Sequence, residues 1–225
     1  MEATNVTGDG QKPQTPQFTF SHDTSLTSWA IPMSTYKQTN SLSWYGIATG
    51  ALVFDSSNRI LLVQRTARDT MPNLWEFPGG GVDLDDPTVL YGCARELWEE
   101  TGLKVKYMKR LVTKGPTPEL ARVITKGQGP TLAQVITTRR EKKEIGKFVF
   151  EVEVEVNVQA DQKVRLDSNE HQDFVWATEA EVKDEKVALG GTEYKAISFT
   201  VEATKSFILE GFRLRQEDFR LRQAM

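Results

Sequence analysis

The chain has 225 residues, enough for one folded domain of about 150 to 180 residues with a tail. Its 28 basic and 31 acidic residues give a net charge of −3, so it lacks the cationic excess of proteins that bind a nucleic-acid polymer. A single cysteine, no signal-peptide pattern and no apolar run near the roughly 18 residues of a membrane span together predict a cytoplasmic protein without a membrane partner.

Residues 1–40 are rich in Thr, Ser, Gln, Pro and Asn without a sustained hydrophobic period, so we expect an extended or disordered arm. Aromatic residues at Phe18, Phe20 and Trp29 would let part of this arm pack on the domain, which we place at residues 41–225. At the start of the domain, two apolar segments, 44–54 and 59–65, flank a polar turn and predict a β-hairpin.

A loop that contains Gly79, Gly80 and Gly81 precedes a predicted helix over residues 87–101. Asp86 stands directly before Pro87 and is predicted to cap the start of this helix. Gly102 is predicted to end the helix in a left-handed conformation.

The second half of the chain alternates predicted strands and helices. Strands are predicted at residues 104–113, 148–158 and 173–177. Thr178 and Glu181 form a capping box before a short helix, and an amphipathic helix is predicted at 200–216. The stretch 114–147 is too long for a simple connection and predicts a functional insertion or lid. This order predicts an α/β domain with helices on both faces of a sheet.

Three glutamates of the first predicted helix, Glu96, Glu99 and Glu100, are three and four residues apart and therefore share a face. Like charges at this spacing destabilise a helix by a few tenths of a kcal/mol per pair. A divalent cation would remove the repulsion, and Mg2+ takes one or two carboxylates with substrate phosphates completing its shell. The carbonyl of Gly80 is a further candidate ligand, and Arg95 is placed to orient a carboxylate. A solvated acidic face is the structural alternative.

The same segment resembles the Nudix box. The matching residues are Gly81, Arg95, Glu96, Leu97, Glu99, Glu100, Gly102 and Leu103. One position of the box is not matched, because Pro87 stands where the box has its first Glu. If the box is counted from Gly80 instead of Gly81, Asp86 takes the position of this Glu, and one extra residue precedes Arg95. The resemblance implies a Nudix-like α/β/α sandwich with a mixed β-sheet and a pyrophosphohydrolase that uses Mg2+, with Mn2+ as an alternative. Its metal would be held by Glu96, Glu99, Glu100 and Gly80, and its site supported by Arg95, Asp86 and Gly102.

The resemblance extends over residues 43–187 and implies further site residues. Arg65 would touch substrate phosphate, while Trp75 and Phe77 would border the substrate. Glu170, which precedes His171, would be a metal ligand or the catalytic base, and Glu96 is the other candidate base. The alternative for this pair is a polar loop in which His171 is satisfied by hydrogen bonds.

The sequence leaves the function open among three classes. The leading one is hydrolysis of a nucleoside diphosphate linked to another moiety, such as a nucleoside triphosphate or ADP-ribose. The rivals are the same chemistry on an isoprenoid-type diphosphate and a noncatalytic nucleotide-binding module. In all three classes the partner of the protein is a small diphosphate molecule. The charge-rich end at 213–225 could also mediate the formation of a homodimer.

Overall fold

The computed structural model describes residues 16–113, 134–137, 143–155, 164–190 and 192–224. The strands are β1 (Ser21–His22), β2 (Gly46–Val53), β3 (Ile60–Arg65), β4 (Trp75–Glu76), β5 (Val105–Val112), β6 (Gln134–Thr137), β7 (Glu144–Val154), β8 (His171–Ala177), β9 (Lys186–Gly190) and β10 (Glu193–Ala196). The helices are α1 (Met33–Thr39), α2 (Val89–Thr101), α3 (Glu179–Asp184) and α4 (Glu202–Gln223), with a 3-10 helix at Thr24–Trp29.

The main sheet is mixed, as predicted. Strand β7 pairs in parallel with β2 along an unbroken register and antiparallel with β5 on its other side. The short β6 pairs antiparallel with the start of β7, and β1 lies parallel to β5. Both directions of pairing therefore occur in one sheet.

A second sheet places β3 between β4 and β8, with both pairings antiparallel. The predicted hairpin of β2 with β3 is therefore wrong: one bridge, Phe54 to Ile60, joins their ends before the strands enter different sheets. The turn between them is held by Asp55, whose carboxylate accepts the backbone N–H groups of Ser57 and Arg59. The local turn was readable from sequence, whereas the pairing partners are set by distant strands.

Two hydrophobic cores lie on opposite faces of the strands. Because side chains alternate along a strand, Ala51 and Val53 enter the core under α2, while Leu52 enters the core under α4. Helix α4 contributes Phe207, Ile208 and Phe212 to that second core. Helices thus cover both faces, which gives the predicted α/β/α sandwich.

The N-terminal segment differs from the extended or disordered arm predicted for residues 1–40. Residues 21–39 form β1, the 3-10 helix and α1, whereas residues 1–15 lie outside the described part of the chain. Leu26, Trp29, Met33 and Tyr36 are buried in the core under α2. Their three- and four-residue spacing is a helical period that the polar composition around them conceals.

Most of the predicted insertion, residues 114–133 and 138–142, lies outside the described residues. Its last residues belong to β7, which begins at Glu144 instead of at 148. The capping box of Thr178 and Glu181 is confirmed. Helix α4 continues to Gln223, beyond the predicted end at 216, and no helix among the described residues is long and apolar enough to cross a membrane.

Candidate active site

Helix α2 carries the three glutamates and has well-defined ends. The hydroxyl of Thr88 accepts the backbone N–H of Tyr91 at 2.9 Å and caps the start, so the predicted cap at Asp86 is wrong by two residues. Gly102 ends the helix in the left-handed region, as predicted. The buried face of the helix, which includes Leu90, Ala94 and Leu97, sets the direction of its acidic face.

The three glutamates are not equally exposed. The side chain of Glu99 is 35% exposed, that of Glu96 is 14% exposed, and Glu100 is buried. The helix therefore turns Glu96 and Glu100 inward and Glu99 towards solvent.

Arg95 links the helix to the loop before it. Its Nε and Nη2 atoms donate to the two carboxylate oxygens of buried Asp86 at 3.0 and 2.9 Å, and Nη2 also donates to the carbonyl of Gly81 at 2.7 Å. Its Nη1 atom donates to Glu96 at 2.8 Å and to Glu99 at 3.0 Å. Asp86 therefore contacts Arg95, whose guanidinium joins it to two glutamates of α2.

The glycine loop, residues 78–82, lies along the free edge of β2. The N–H groups of Thr49 and Ala51 donate to the carbonyls of Gly80 and Pro78, each at 2.8 Å. In the same loop, Gly79 donates its N–H to Glu100 at 2.8 Å. The sheet therefore positions the loop, and the loop positions a buried carboxylate.

Close packing explains two of these glycines. Gly79 has a φ of 149°, and a side chain there would lie 2.6 Å from the Cα of Gly50. A Cβ on Gly80 would lie 2.6 Å from the carboxyl carbon of Glu96. The Gly80 carbonyl, predicted as a metal ligand, already accepts the Thr49 N–H.

The electrostatics of the two inward glutamates are unfavourable in the absence of a cation. Burial raises the pKa of Glu96 to about 7, although Arg95 opposes the shift, and Glu99 and Glu170 raise it further. Burial also raises the pKa of Glu100 well above its usual range, and Glu96, Glu76 and Glu170 add to the effect. Acidic groups are thus concentrated at one place in the fold, and this arrangement disfavours their ionised forms.

A group of potential metal ligands lies at this place. One ligand atom each from Glu100, Glu170 and His171 lies within 4.8 Å of the others. Glu170 is exposed on the turn before β8, while Glu100 and His171 are buried. Carboxylate oxygens are the donors that hard divalent cations prefer, so the residues fit the cation implied by the acidic helix.

The structure places the remaining predicted residues differently. Trp75 and Phe77 are 1% and 2% exposed and pack in the core under α4. They therefore have almost no surface with which to contact a substrate. Arg65 is half-buried and pairs with Asp69 at 2.6 Å and with Glu76. Its predicted contact with phosphate would compete with these two carboxylates.

Two residues near the carboxylates were missed by the sequence reasoning. Lys147, placed opposite Ala48 by the pairing of β2 with β7, interacts electrostatically with Glu76 and Glu100, and burial lowers its pKa. Glu76 is buried and bonded to Arg65. No local motif marks either residue, because long-range strand pairing brings them to the site.

A family model described as the NUDIX domain matches residues 44–196, which is more than half of the chain. A human protein described as m7GpppN-mRNA hydrolase NUDT17 is 47% identical over 55 residues, or 24% of this chain and 16% of that protein. A MutT-like protein of Streptomyces ambofaciens is 35% identical over 74 residues, or 33% of this chain and 45% of the relative. The matched segments span less than half of either relative.

Comparison with solved structures also identifies the fold of the chain as similar to that of a NUDIX domain. The NUDIX domain of Shewanella oneidensis NrtR, solved in complex with ADP ribose, superposes with a TM-score of 0.50 at 15% identity. The match covers 81% of this chain and 97% of that one. At this identity the likeness concerns the fold alone.

Proposed function

The chain belongs to the NUDIX family, and on this premise we propose that it is a pyrophosphohydrolase that cleaves a diphosphate linkage with a divalent cation, Mg2+ or Mn2+. The proposed substrates are nucleoside diphosphates linked to another moiety. The observation that carries the proposal is the pair of inward carboxylates, Glu96 and Glu100, held by Arg95 and Gly79 close to Glu170.

The carboxylates would hold the cation. Glu100 and Glu170 are the best placed, Glu96 lies beside them, and the more exposed Glu99 is tied to Arg95. When bound, the cation would neutralise charge on the phosphates and lower the pKa of a bound water. If the acidic residues of α2 only formed a solvated surface, Glu100 would not need to be buried close to other glutamates.

The chain's own groups supply the remaining steps. Glu96 and Glu170 are the candidates to accept a proton from the attacking water, since each lies at the acidic group and Arg95 fixes the orientation of Glu96. Lys147 and Arg65 supply positive charge beside the buried Glu76. The buried Asp86 keeps Arg95 from moving towards the substrate.

The substrate class rests on a sequence relative, which is described as a hydrolase of m7GpppN-mRNA. The m7GpppN cap contains a nucleoside diphosphate. A small substrate of this kind, a cytoplasmic setting and a homodimer all belong to the proposal. Light scattering of the pure chain and fluorescence imaging of the tagged chain test the last two.

An activity screen tests the proposal directly. The chain is incubated with Mg2+ or Mn2+ and nucleoside triphosphates, ADP-ribose, dinucleoside polyphosphates, cap analogues or isoprenoid diphosphates, and product phosphates are quantified. We expect turnover of a nucleoside diphosphate derivative, lost in Glu100→Gln and retained in Glu193→Gln, an exposed control on β10. Turnover of the isoprenoid compounds alone would refute the substrate class. Nucleotide binding without turnover would refute hydrolysis in favour of a binding module.

A further inference from the structure

His171 is buried at the start of β8, with 2% of its surface exposed. Neither of its ring nitrogens has a hydrogen-bond partner among the described residues. Leaving a buried polar group without a partner destabilises a fold, so such a group calls for a ligand or another role. Hydrogen bonds within the described residues therefore do not account for the burial of His171.

The surroundings of His171 indicate what that ligand is. A ring nitrogen lies within 4.8 Å of a carboxylate oxygen of Glu100 and of one of Glu170. Donors at this spacing can share one ion, because metal–ligand bonds of roughly 2.0–2.6 Å extend from the ion to each of them. Glu100 and Glu170 contribute carboxylate oxygens, which are the ligands that hard divalent cations prefer.

A third carboxylate lies near the ring. Nε2 of His171 is 3.7 Å from Oε1 of Glu76, and Glu76 is itself bonded to Arg65. A histidine that binds a metal commonly donates its other ring N–H to a carboxylate, which fixes the ring for coordination. Among the described residues, Glu76 is the candidate carboxylate for that contact.

We propose that His171 is a metal ligand together with Glu100 and Glu170, and that this mixed nitrogen and oxygen set binds first-row transition ions such as Mn2+ more tightly than Mg2+. Mg2+ prefers oxygen ligands throughout its shell. Imidazole suits first-row transition ions such as Fe2+, Ni2+ and Zn2+, and Mn2+ begins that series of increasing affinity. The inference deepens the proposed function, since it concerns the cation of the same site, yet it concerns binding and can be tested without turnover.

Pulsed electron paramagnetic resonance of Mn2+ bound to the untagged chain gives the direct test. An imidazole nitrogen bonded to Mn2+ modulates the echo at 14N frequencies, and labelling histidine with 15N shifts them. The chain has two histidines, so His22→Gln, which removes the one in β1, is the matched control for His171→Gln. We expect nitrogen modulation in the wild type and in His22→Gln and none in His171→Gln.

Calorimetry of Mn2+ and Mg2+ binding to the same three proteins tests the preference. We expect His171→Gln to lose Mn2+ affinity by at least about tenfold, with a smaller change for Mg2+. Wild-type Mn2+ without nitrogen modulation, or Mn2+ bound no more tightly than Mg2+, would overturn the inference. If His171→Gln does not fold, the wild type and His22→Gln still decide it, since only His171 then supplies an imidazole.

The two proposals can fail separately. Nitrogen coupling in a chain that hydrolyses nothing in the substrate panel would support the ligand role of His171 and refute the hydrolase. Hydrolysis with Mg2+ by a chain without nitrogen coupling would support the hydrolase and refute the ligand role.

Discussion

Replacing Gly80 by alanine should displace Glu96 while leaving the fold intact. The new Cβ would lie 2.6 Å from the carboxyl carbon of Glu96, whereas ordinary contacts begin near 3.4 Å. Gly80 has no positive φ, so alanine introduces no backbone strain. The carboxylate, as the flexible end of a side chain, is the group that must move.

The size of the displacement sets the size of the effect. Relief of the contact requires a shift of roughly 1 Å, and a misplacement of that size in a catalytic group costs about 10²-fold in rate. The free energy of unfolding should change little, by about 1 kcal/mol or less, since the backbone is unstrained and no buried group is removed.

Gly81→Ala is the matched control, because a Cβ on Gly81 meets nothing within 4 Å. Both variants are measured for kcat with Mg2+ on the substrate that the screen identifies and for the melting temperature Tm. We expect Gly80→Ala to lose about 10²-fold in kcat with a nearly unchanged Tm, and Gly81→Ala to match the wild type in both. Equal rates in the two variants would show that Glu96 need not be where the structure holds it.

Three further predictions concern stability. Asp86→Ala leaves Arg95 without its two buried hydrogen bonds and should cost about 3 kcal/mol, or roughly 6–12 °C in Tm, whereas the exposed Asp85→Ala should change little; similar Tm values would contradict the importance of the pair. Without divalent cations, the folded chain retains a proton on Glu96 that the unfolded chain releases, so stability should fall as pH rises from 4.5 to about 7. Bound Mg2+ should therefore raise Tm more at about pH 8 than at about pH 5, and an equal or smaller gain at the higher pH would contradict this. Trp29→Ala should lower the free energy of unfolding by about 3–5 kcal/mol in urea, and the exposed Ser28→Ala by far less. Equal free energies for the two variants would show that the N-terminal segment does not stabilise the core.

Local spacing carried most of what could be predicted about the acidic helix. The three- and four-residue separations of Glu96, Glu99 and Glu100 place them on one face whatever the rest of the fold does, and Gly102 ends the helix by its own conformational freedom. The contact of Asp86 with Arg95 was also within reach, because both belong to one loop and helix. The cap was misplaced since Asp86 and Thr88 are both good caps and only the structure shows which one is free.

Long-range pairing decided what the sequence left open. Aromatic residues beside a glycine loop suit a ligand pocket or a core equally well, and Phe207 of distant α4 makes Phe77 a core residue at 6.3 Å between ring centroids. Lys147 and His171 reach the carboxylates through β7 and β8, whose partners no short motif specifies. The sequence thus predicted the acidic face of the helix better than the residues that surround it.

The glycine loop also closes the outer edge of β2, which would otherwise present unpaired backbone groups to solvent. An open strand edge is a template for pairing with another molecule and so for aggregation. The segment that orients Glu100 therefore shields the sheet as well. We therefore expect a substitution that detaches this loop from β2 to lower solubility together with the rate.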